Sequence, residues 1–107
     1  MTSATLDDIL LAVQRVTRIG VRDIKGDGQS ANVREARLLF YFVAHQCFGR
    51  LTSEIAKKAE RHKDTVRQQV ALLRKTPRFS TDIVDAVEYE VEKIVAARQA
   101  TNALEMR

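Results

Sequence analysis

The stretch LTSEIAKKAERHKDTVRQQVALLRK, residues 51–75, constrains the fold of this chain more than any other. Apolar residues recur there at helical spacing on both sides of a short basic segment. The pattern predicts an N-cap at Thr52, a helix over Ser53–Glu60, a turn at Arg61–Lys63 and a second helix opened by Asp64. Two short helices joined by a tight turn are typical of a helix-turn-helix, here over about 53–75.

The second helix of this pair has one apolar face and one polar face. Val66, Val70 and Leu73 form its predicted buried stripe, and Ile55 and Ala59 face inward from the first helix. Arg and Gln side chains make bidentate contacts with guanine and adenine edges, and Thr can touch a thymine methyl group or a phosphate. Side chains of these types predominate on the predicted outer face, which carries Thr65, Arg67, Gln68, Ala71, Arg74 and Lys75.

The residues before this helix pair are also predicted to form helices. Thr5 and Asp8 form a capping-box-like pair at the start of a helix over about 6–17. A single turn at Val21–Ile24 follows, and the sequence KGDGQSAN then predicts a flexible loop at Lys25–Asn32. We interpret this loop as a connector, because Lys25 is its only basic residue.

Two longer helices are predicted on either side of the 51–75 stretch. The first runs from Val33 to about Phe48 and is apolar around most of its circumference, so we expect it to lie at the centre of the fold with neighbours on several sides. Gly49 suits the cap at its C-terminal end. The second follows Pro77, is capped by Ser80 or Thr81, and is amphipathic. It packs on its own domain in our first interpretation, and a second copy of the chain is the alternative partner. Its apolar stripe comprises Ile83, Val84, Val87, Val91, Ile94 and Val95.

These patterns predict an all-α fold. Only 4 Gly and 1 Pro occur among 107 residues, which favours helices over a turn-rich β fold. We therefore expect one compact helical bundle over residues 1–100, with a helix-turn-helix and an extra amphipathic C-terminal helix, and a frayed tail over 101–107.

Positive charge is concentrated in the middle of the chain. Residues 50–78 hold 9 basic and 3 acidic side chains, whereas residues 79–107 hold 3 basic and 6 acidic ones. Positive charge concentrated in one segment is typical of a surface that binds nucleic acid. The alternative is that these side chains only make an exposed helix face soluble.

Several other functions find no support in the sequence. The lone Cys47 cannot form an internal disulfide or anchor a zinc site, no nucleophile–base pair or cofactor motif is present, and no Gly-rich loop ends in Lys-Ser/Thr. We therefore expect no enzyme activity, metal, cofactor or nucleotide. The start MTSATLDD lacks the layout of a signal peptide and the longest apolar run is short, so we expect a cytoplasmic protein without a membrane segment.

From about Thr5 to Lys75, the chain resembles the C-terminal DNA-binding domain (domain IV) of the bacterial chromosomal replication initiator DnaA. The resemblance lies in the segments ILLAV, IGVRDI, a Gly/Ser loop, VREAR, LTSEIA and RHKDTV, in that order. It implies an all-α fold with a Trp-repressor-like helix-turn-helix. It also implies that this segment touches bases and phosphates of a nine-base-pair DnaA box on duplex DNA.

The RHKDTV segment resembles the family signature Arg-Asp-His-Thr/Ser-Thr-Val but departs from it. Arg61, Thr65 and Val66 match, whereas His62-Lys63 replaces the Asp-His pair and Asp64 replaces a hydroxyl residue. The glycine pair that usually precedes the signature is absent, since Ala59-Glu60 stands there. At the central helix, Glu35 occupies the place of an arginine that enters the minor groove, and Arg34 stands one position earlier.

The sequence thus predicts a small sequence-specific duplex-DNA-binding protein that regulates replication or transcription. The alternative is a helical interaction or dimerisation module in which the fold is kept and DNA reading is lost. The DNA-binding residues that we predict are Arg34, Arg37, Lys57, Lys58, Arg61, His62, Lys63, Thr65, Arg67, Gln68, Arg74 and Lys75.

Overall fold

Helices account for most of the chain, as the scarcity of Gly and Pro predicts. The computed structural model describes the backbone of residues 4–105 and the side chains of residues 4–101. Within that range it has six α-helices and no β-strand, which confirms the predicted all-α class. The helices are α1 (Leu6–Thr17), α2 (Val21–Lys25), α3 (Ala31–Phe42), α4 (Thr52–Ala59), α5 (Lys63–Lys75) and α6 (Thr81–Glu105).

The start of α1 is fixed by the predicted capping pair. The Thr5 hydroxyl accepts a hydrogen bond from the Asp8 N–H at 3.1 Å, and the Asp8 carboxylate accepts one from the Thr5 N–H at 2.9 Å. Both groups satisfy N–H donors that have no partner within a helix. The prediction of a helix over 6–17 is confirmed.

The central helix differs from its prediction at both ends. It begins at Ala31, because Ser30 caps it by accepting from the Val33 N–H at 3.4 Å, so the loop before it is shorter than predicted. After Phe42 the helix widens into a π-helical turn at Val43–Cys47 instead of continuing as an α-helix. Gly49 ends the element with a φ of 63°, as predicted, since glycine takes this left-handed conformation without steric cost.

The central helix separates two layers of the molecule. On one side α1 packs extensively against α6, and on another α5 packs against both α3 and α4. Phe40 and Tyr41 of α3 are buried in the core with Val13 of α1, Val66 of α5 and Val91 of α6. The packing of α6 inside this chain agrees with our first interpretation of its apolar stripe.

The last helix is the longest element, with 25 residues. Ser80 caps it by accepting from the Ile83 N–H at 3.3 Å, and the Arg98 guanidinium donates to the Asp8 carboxylate at the start of α1. The helix continues to Glu105, and the last two residues of the predicted tail lie outside the described ones. None of the described helices combines the length and apolar character that crossing a membrane requires.

Candidate nucleic-acid interface

The helix pair of the 51–75 stretch forms, with shifted boundaries. Thr52 was predicted to be the N-cap but is the first helical residue, and Leu51 occupies the cap position. The prediction is wrong because Glu54 replaces a capping hydroxyl: its carboxylate accepts from the Leu51 N–H at 3.3 Å. This is the reciprocal half of a capping box, and it starts α4 without a polar N-cap side chain.

The turn between α4 and α5 comprises Glu60–His62, one residue earlier than predicted. Glu60 adopts a left-handed φ of 58°, and the next N–H, that of Arg61, donates to the Ala56 carbonyl at 2.9 Å. A residue with a side chain therefore holds a conformation that favours glycine. Helix α5 then starts at Lys63 rather than Asp64, because His62 is its N-cap and its Nδ1 accepts from the Asp64 N–H at 3.2 Å.

The two helices pack through the predicted stripes. Ile55 and Ala59 of α4 and Val66, Val70 and Leu73 of α5 are all buried. Opposite the stripe, α5 presents an exposed face about 20 Å long, given a rise of about 1.5 Å per residue. Each side chain predicted for that face is exposed: Thr65, Arg67, Gln68, Ala71, Arg74 and Lys75.

Much of the positive charge on this pair is uncompensated. Lys57, Lys63, Arg74 and Lys75 are exposed and have no ion pair among the described residues. Arg67 lies beside Asp64 of the same helix, with its Nη1 3.5 Å from the Asp64 Oδ1. The surface of α4 and α5 is therefore available to a polyanion at several points along its length.

Arg61 is held by a distant loop. Its guanidinium donates to the Asp27 carboxylate at 3.1 Å and to the Gly26 carbonyl. These bonds join the turn before α5 to the loop between α2 and α3. Arg61 is therefore only partly exposed, with 20% of its side chain accessible to solvent.

Arg37, another predicted DNA-binding residue, is buried with 8% of its surface accessible. Its Nε donates to the Ile24 carbonyl at 2.9 Å, and its Nη2 donates to the Gly26 and Gly28 carbonyls at 2.7 Å and 3.2 Å. Burial and the positive charge of Arg61 lower the pKa of Arg37. The predicted contact with DNA does not agree with this environment, because the guanidinium is used to hold the α2–α3 loop.

Lys58 is directed toward the first helix. Its Nζ lies 3.1 Å from the Asp7 Oδ1 of α1, and the side chain is one-third exposed. Lys57, its neighbour, is exposed and unpaired within the described part of the chain. Both lysines were predicted to bind DNA, but the charge of Lys58 is partly neutralised by a carboxylate, whereas that of Lys57 is not.

The structure brings four of the predicted residues together in one cleft between α3, α5 and the α2–α3 loop. Arg34, Arg37, Arg61 and Thr65 line this cleft, which has a volume of about 210 Å³. The other lining residues were not predicted: Gln29, Leu38, Tyr41 and Gln69. Helical spacing could have indicated three of them, since Leu38, Tyr41 and Gln69 each follow a predicted residue, Arg34, Arg37 and Thr65 respectively, by four positions.

The described residues contain no group of His, Cys, Asp and Glu side chains able to hold a metal ion. A comparison of the chain with known protein families and with curated proteins found no match in either.

Proposed function

We propose that this protein binds duplex DNA through α4 and α5, with the exposed face of α5 in a major groove. The observation that carries the proposal is the exposed polar face of α5, which stands on a buried stripe and is flanked by unpaired cations. A major groove about 12 Å wide admits one α-helix, and α5 is long enough to cross it.

The side chains on α5 suggest how the two kinds of contact are divided. Arg67 and Gln68 carry the groups that pair with base edges, so we assign sequence reading to them and to Thr65. Lys57, Lys63, Arg74 and Lys75 are assigned to phosphates, because they are exposed cations in the terminal turns of α4 and α5 with no ion pair among the described residues, and phosphate contacts supply position and affinity rather than sequence.

The resemblance to domain IV of DnaA adds to this proposal. It suggests a role in regulating replication or transcription, in which the protein occupies initiator-type sites. The residues His62, Lys63 and Asp64 differ from the family signature at the start of α5. We propose that these differences give the protein a target sequence of its own.

Selection from a random duplex library with the purified protein tests the proposal directly. We expect one enriched motif, and a binding constant whose logarithm falls with the logarithm of salt concentration at a slope of about −4 to −6, for about five to six phosphate contacts. Gln68→Ala should relax the preference at one or two base positions, whereas Lys75→Ala should weaken all duplexes alike and reduce the slope by about 1.

Arg15→Gln is the matched control, because Arg15 lies on α1 beside Glu90 of α6, on the other layer of the molecule. It should leave both the motif and the slope unchanged. Absence of duplex binding at low salt contradicts the proposal.

One observation favours a second function, that of a protein-interaction module. Leu72 on α5 and Leu51 before α4 are large apolar residues that are 60% and 62% exposed, and either one could be covered by a partner. In that case the protein forms a stable dimer or complex that depends on Leu72. Leu72→Gln would abolish this assembly, and the library selection would enrich no motif.

A further inference from the structure

The cleft between α3, α5 and the α2–α3 loop is lined by several arginines, and the proposed contact of α5 with a major groove does not by itself explain them. Three of its lining residues are arginines: Arg34 and Arg37 come from α3, and Arg61 comes from the turn before α5. Its volume of about 210 Å³ is below the range of about 300–1,000 Å³ found for pockets that hold drug-sized ligands. A ligand group that fits it is therefore small.

The charges around the cleft are unbalanced. Asp27 is the carboxylate that pairs with these arginines in the described chain, through Arg61, and its side chain is fully exposed to water. Arg37 donates to backbone carbonyls, which carry no net charge. Arg34 is exposed and has no ion pair among the described residues. Three positive charges thus face one negative charge, and a dianion or monoanion in the cleft would be stabilised.

Neutral donors complete the lining. The Thr65 hydroxyl and the amide groups of Gln29 and Gln69 belong to residues around the same cleft. Guanidinium forks and neutral donors from several directions are the groups that recognise the oxygens of a phosphate. An apolar ligand is disfavoured, because it would leave the charged and polar groups of the cleft without hydrogen-bond partners, although Leu38 and the ring of Tyr41 also line it.

We propose that this cleft binds one phosphate group, with Arg34, Thr65 and Gln69 as the contacting residues. Arg37 and Arg61 hold the loop that forms one wall and add to the positive potential. The phosphate can belong to the DNA backbone or to a small phosphate compound, since the chemistry of the group is the same. The DNA source rests on the proposed function, in which case a backbone phosphate seated here fixes the register of α5 along the groove.

The test uses inorganic phosphate and duplex DNA as separate probes on the same proteins. Backbone amide signals of the full chain are followed by NMR while phosphate is added. We expect saturable shifts at Arg34, Thr65 and Gln69, and we expect the double variant Arg34→Gln, Gln69→Ala to lose them. Arg15→Gln, next to a different basic surface lined by Arg18 and Lys93, should keep them.

Duplex affinity is then measured for the same variants with the motif enriched from the random library. If the DNA backbone is the source, the double variant weakens binding by roughly tenfold and reduces the salt slope by about 1, because one charge-assisted contact is lost. If the source is a small phosphate compound, the double variant loses inorganic phosphate binding but keeps wild-type affinity for DNA.

The outcomes separate this inference from the proposed function. Phosphate binding in the cleft of a protein that binds no duplex supports the cleft and contradicts the DNA proposal. Phosphate shifts spread evenly over the basic surface, or shifts that persist in the double variant, overturn the cleft whether or not DNA is bound. Arg34 is exposed and Gln69 partly so, hence the variants are expected to fold, and unchanged amide spectra elsewhere verify this.

Discussion

Arg61, in the turn that leads into α5, donates to the carboxylate of Asp27, 34 residues earlier in the chain, across a distance of 3.1 Å. The same guanidinium donates to the Gly26 carbonyl. Arg61 therefore ties the α2–α3 loop to the helix pair, and the exposed carboxylate of Asp27 reduces the positive charge near the start of α5.

Asp27→Asn is expected to strengthen DNA binding. The substitution removes a negative charge from the proposed interface, so the positive charge of Arg61, which still donates to the Gly26 carbonyl, is no longer neutralised. Because the pair is exposed to water and screened, the effect is small, and we expect the dissociation constant to fall by about 1.4- to fivefold. Fluorescence anisotropy with a labelled duplex at low salt measures the change.

Asp85→Asn is the control for Asp27→Asn, because Asp85 is an exposed carboxylate on α6. It should have a smaller effect than Asp27→Asn, since it lies away from α4 and α5. Equal affinities for the wild type and Asp27→Asn would contradict a role of the cleft wall in DNA binding.

Arg37→Met is expected to destabilise the fold, because the buried carbonyl of Ile24 and those of Gly26 and Gly28 lose their donor. Loss of charge-assisted hydrogen bonds at a buried site predicts a decrease of about 2–4 kcal/mol in the free energy of unfolding. Arg34→Met, at an exposed position of the same helix, should change it by less than about 0.5 kcal/mol. Urea unfolding measures the free energy of unfolding of the two variants. Similar decreases in both would contradict a structural role of the Arg37 hydrogen bonds.

The two left-handed positions on either side of α4 give opposite predictions. At Glu60, with a φ of 58°, glycine relieves steric strain, so Glu60→Gly should raise the free energy of unfolding by about 0.5–1 kcal/mol. At Gly49, with a φ of 63°, a Cβ meets no atom within 4 Å, but the backbone is strained by any side chain. Gly49→Ala should therefore lower the free energy of unfolding by about 1 kcal/mol. Thermal unfolding with both variants tests the pair, and the same sign of change in both would be inconsistent with it.

The stability of the fold is expected to decrease at acidic pH through Asp8. Burial acts to raise the pKa of this carboxyl, but the Thr5 N–H and the Arg98 guanidinium outweigh it and hold the pKa below its ordinary value of 3.8. A lowered pKa in the folded state stabilises the protein above the unfolded value, and this contribution is lost as the pH falls through the folded pKa.

Asp8→Asn isolates that contribution, because asparagine keeps an acceptor for the N-cap but carries no charge. The wild type should be the more stable protein near about pH 6, and the difference should shrink toward about pH 3. Urea unfolding across this range measures it. A difference that stays constant with pH would exclude a charge effect at Asp8.

The sequence predicted the features that depend on neighbouring residues. The capping pair of Thr5 and Asp8 fixed the start of α1 because both bonds lie within four residues. The stripe of Val66, Val70 and Leu73 was predicted because helical periodicity determines which side chains share a face.

Features that depend on distant parts of the chain were missed. Arg37 was predicted to contact DNA, but the carbonyls of Ile24 in α2 and of Gly28 in the following loop, 13 and 9 residues earlier, accept from its guanidinium. No local pattern indicates that Asp27 meets Arg61, or that the central helix widens at Val43–Cys47. The cleft is built from these long-range contacts, which is why the sequence supplied only four of its residues.

The packing of α1 against α6 has a consequence for how the protein folds during its synthesis. A ribosome releases the chain from its N-terminus, so α1 leaves the exit tunnel well before its principal partner is translated. Throughout that interval the apolar side of α1, including Ile9 and Val13, has no α6 to cover it. The native packing of α1 is therefore expected to form only once α6 has left the ribosome.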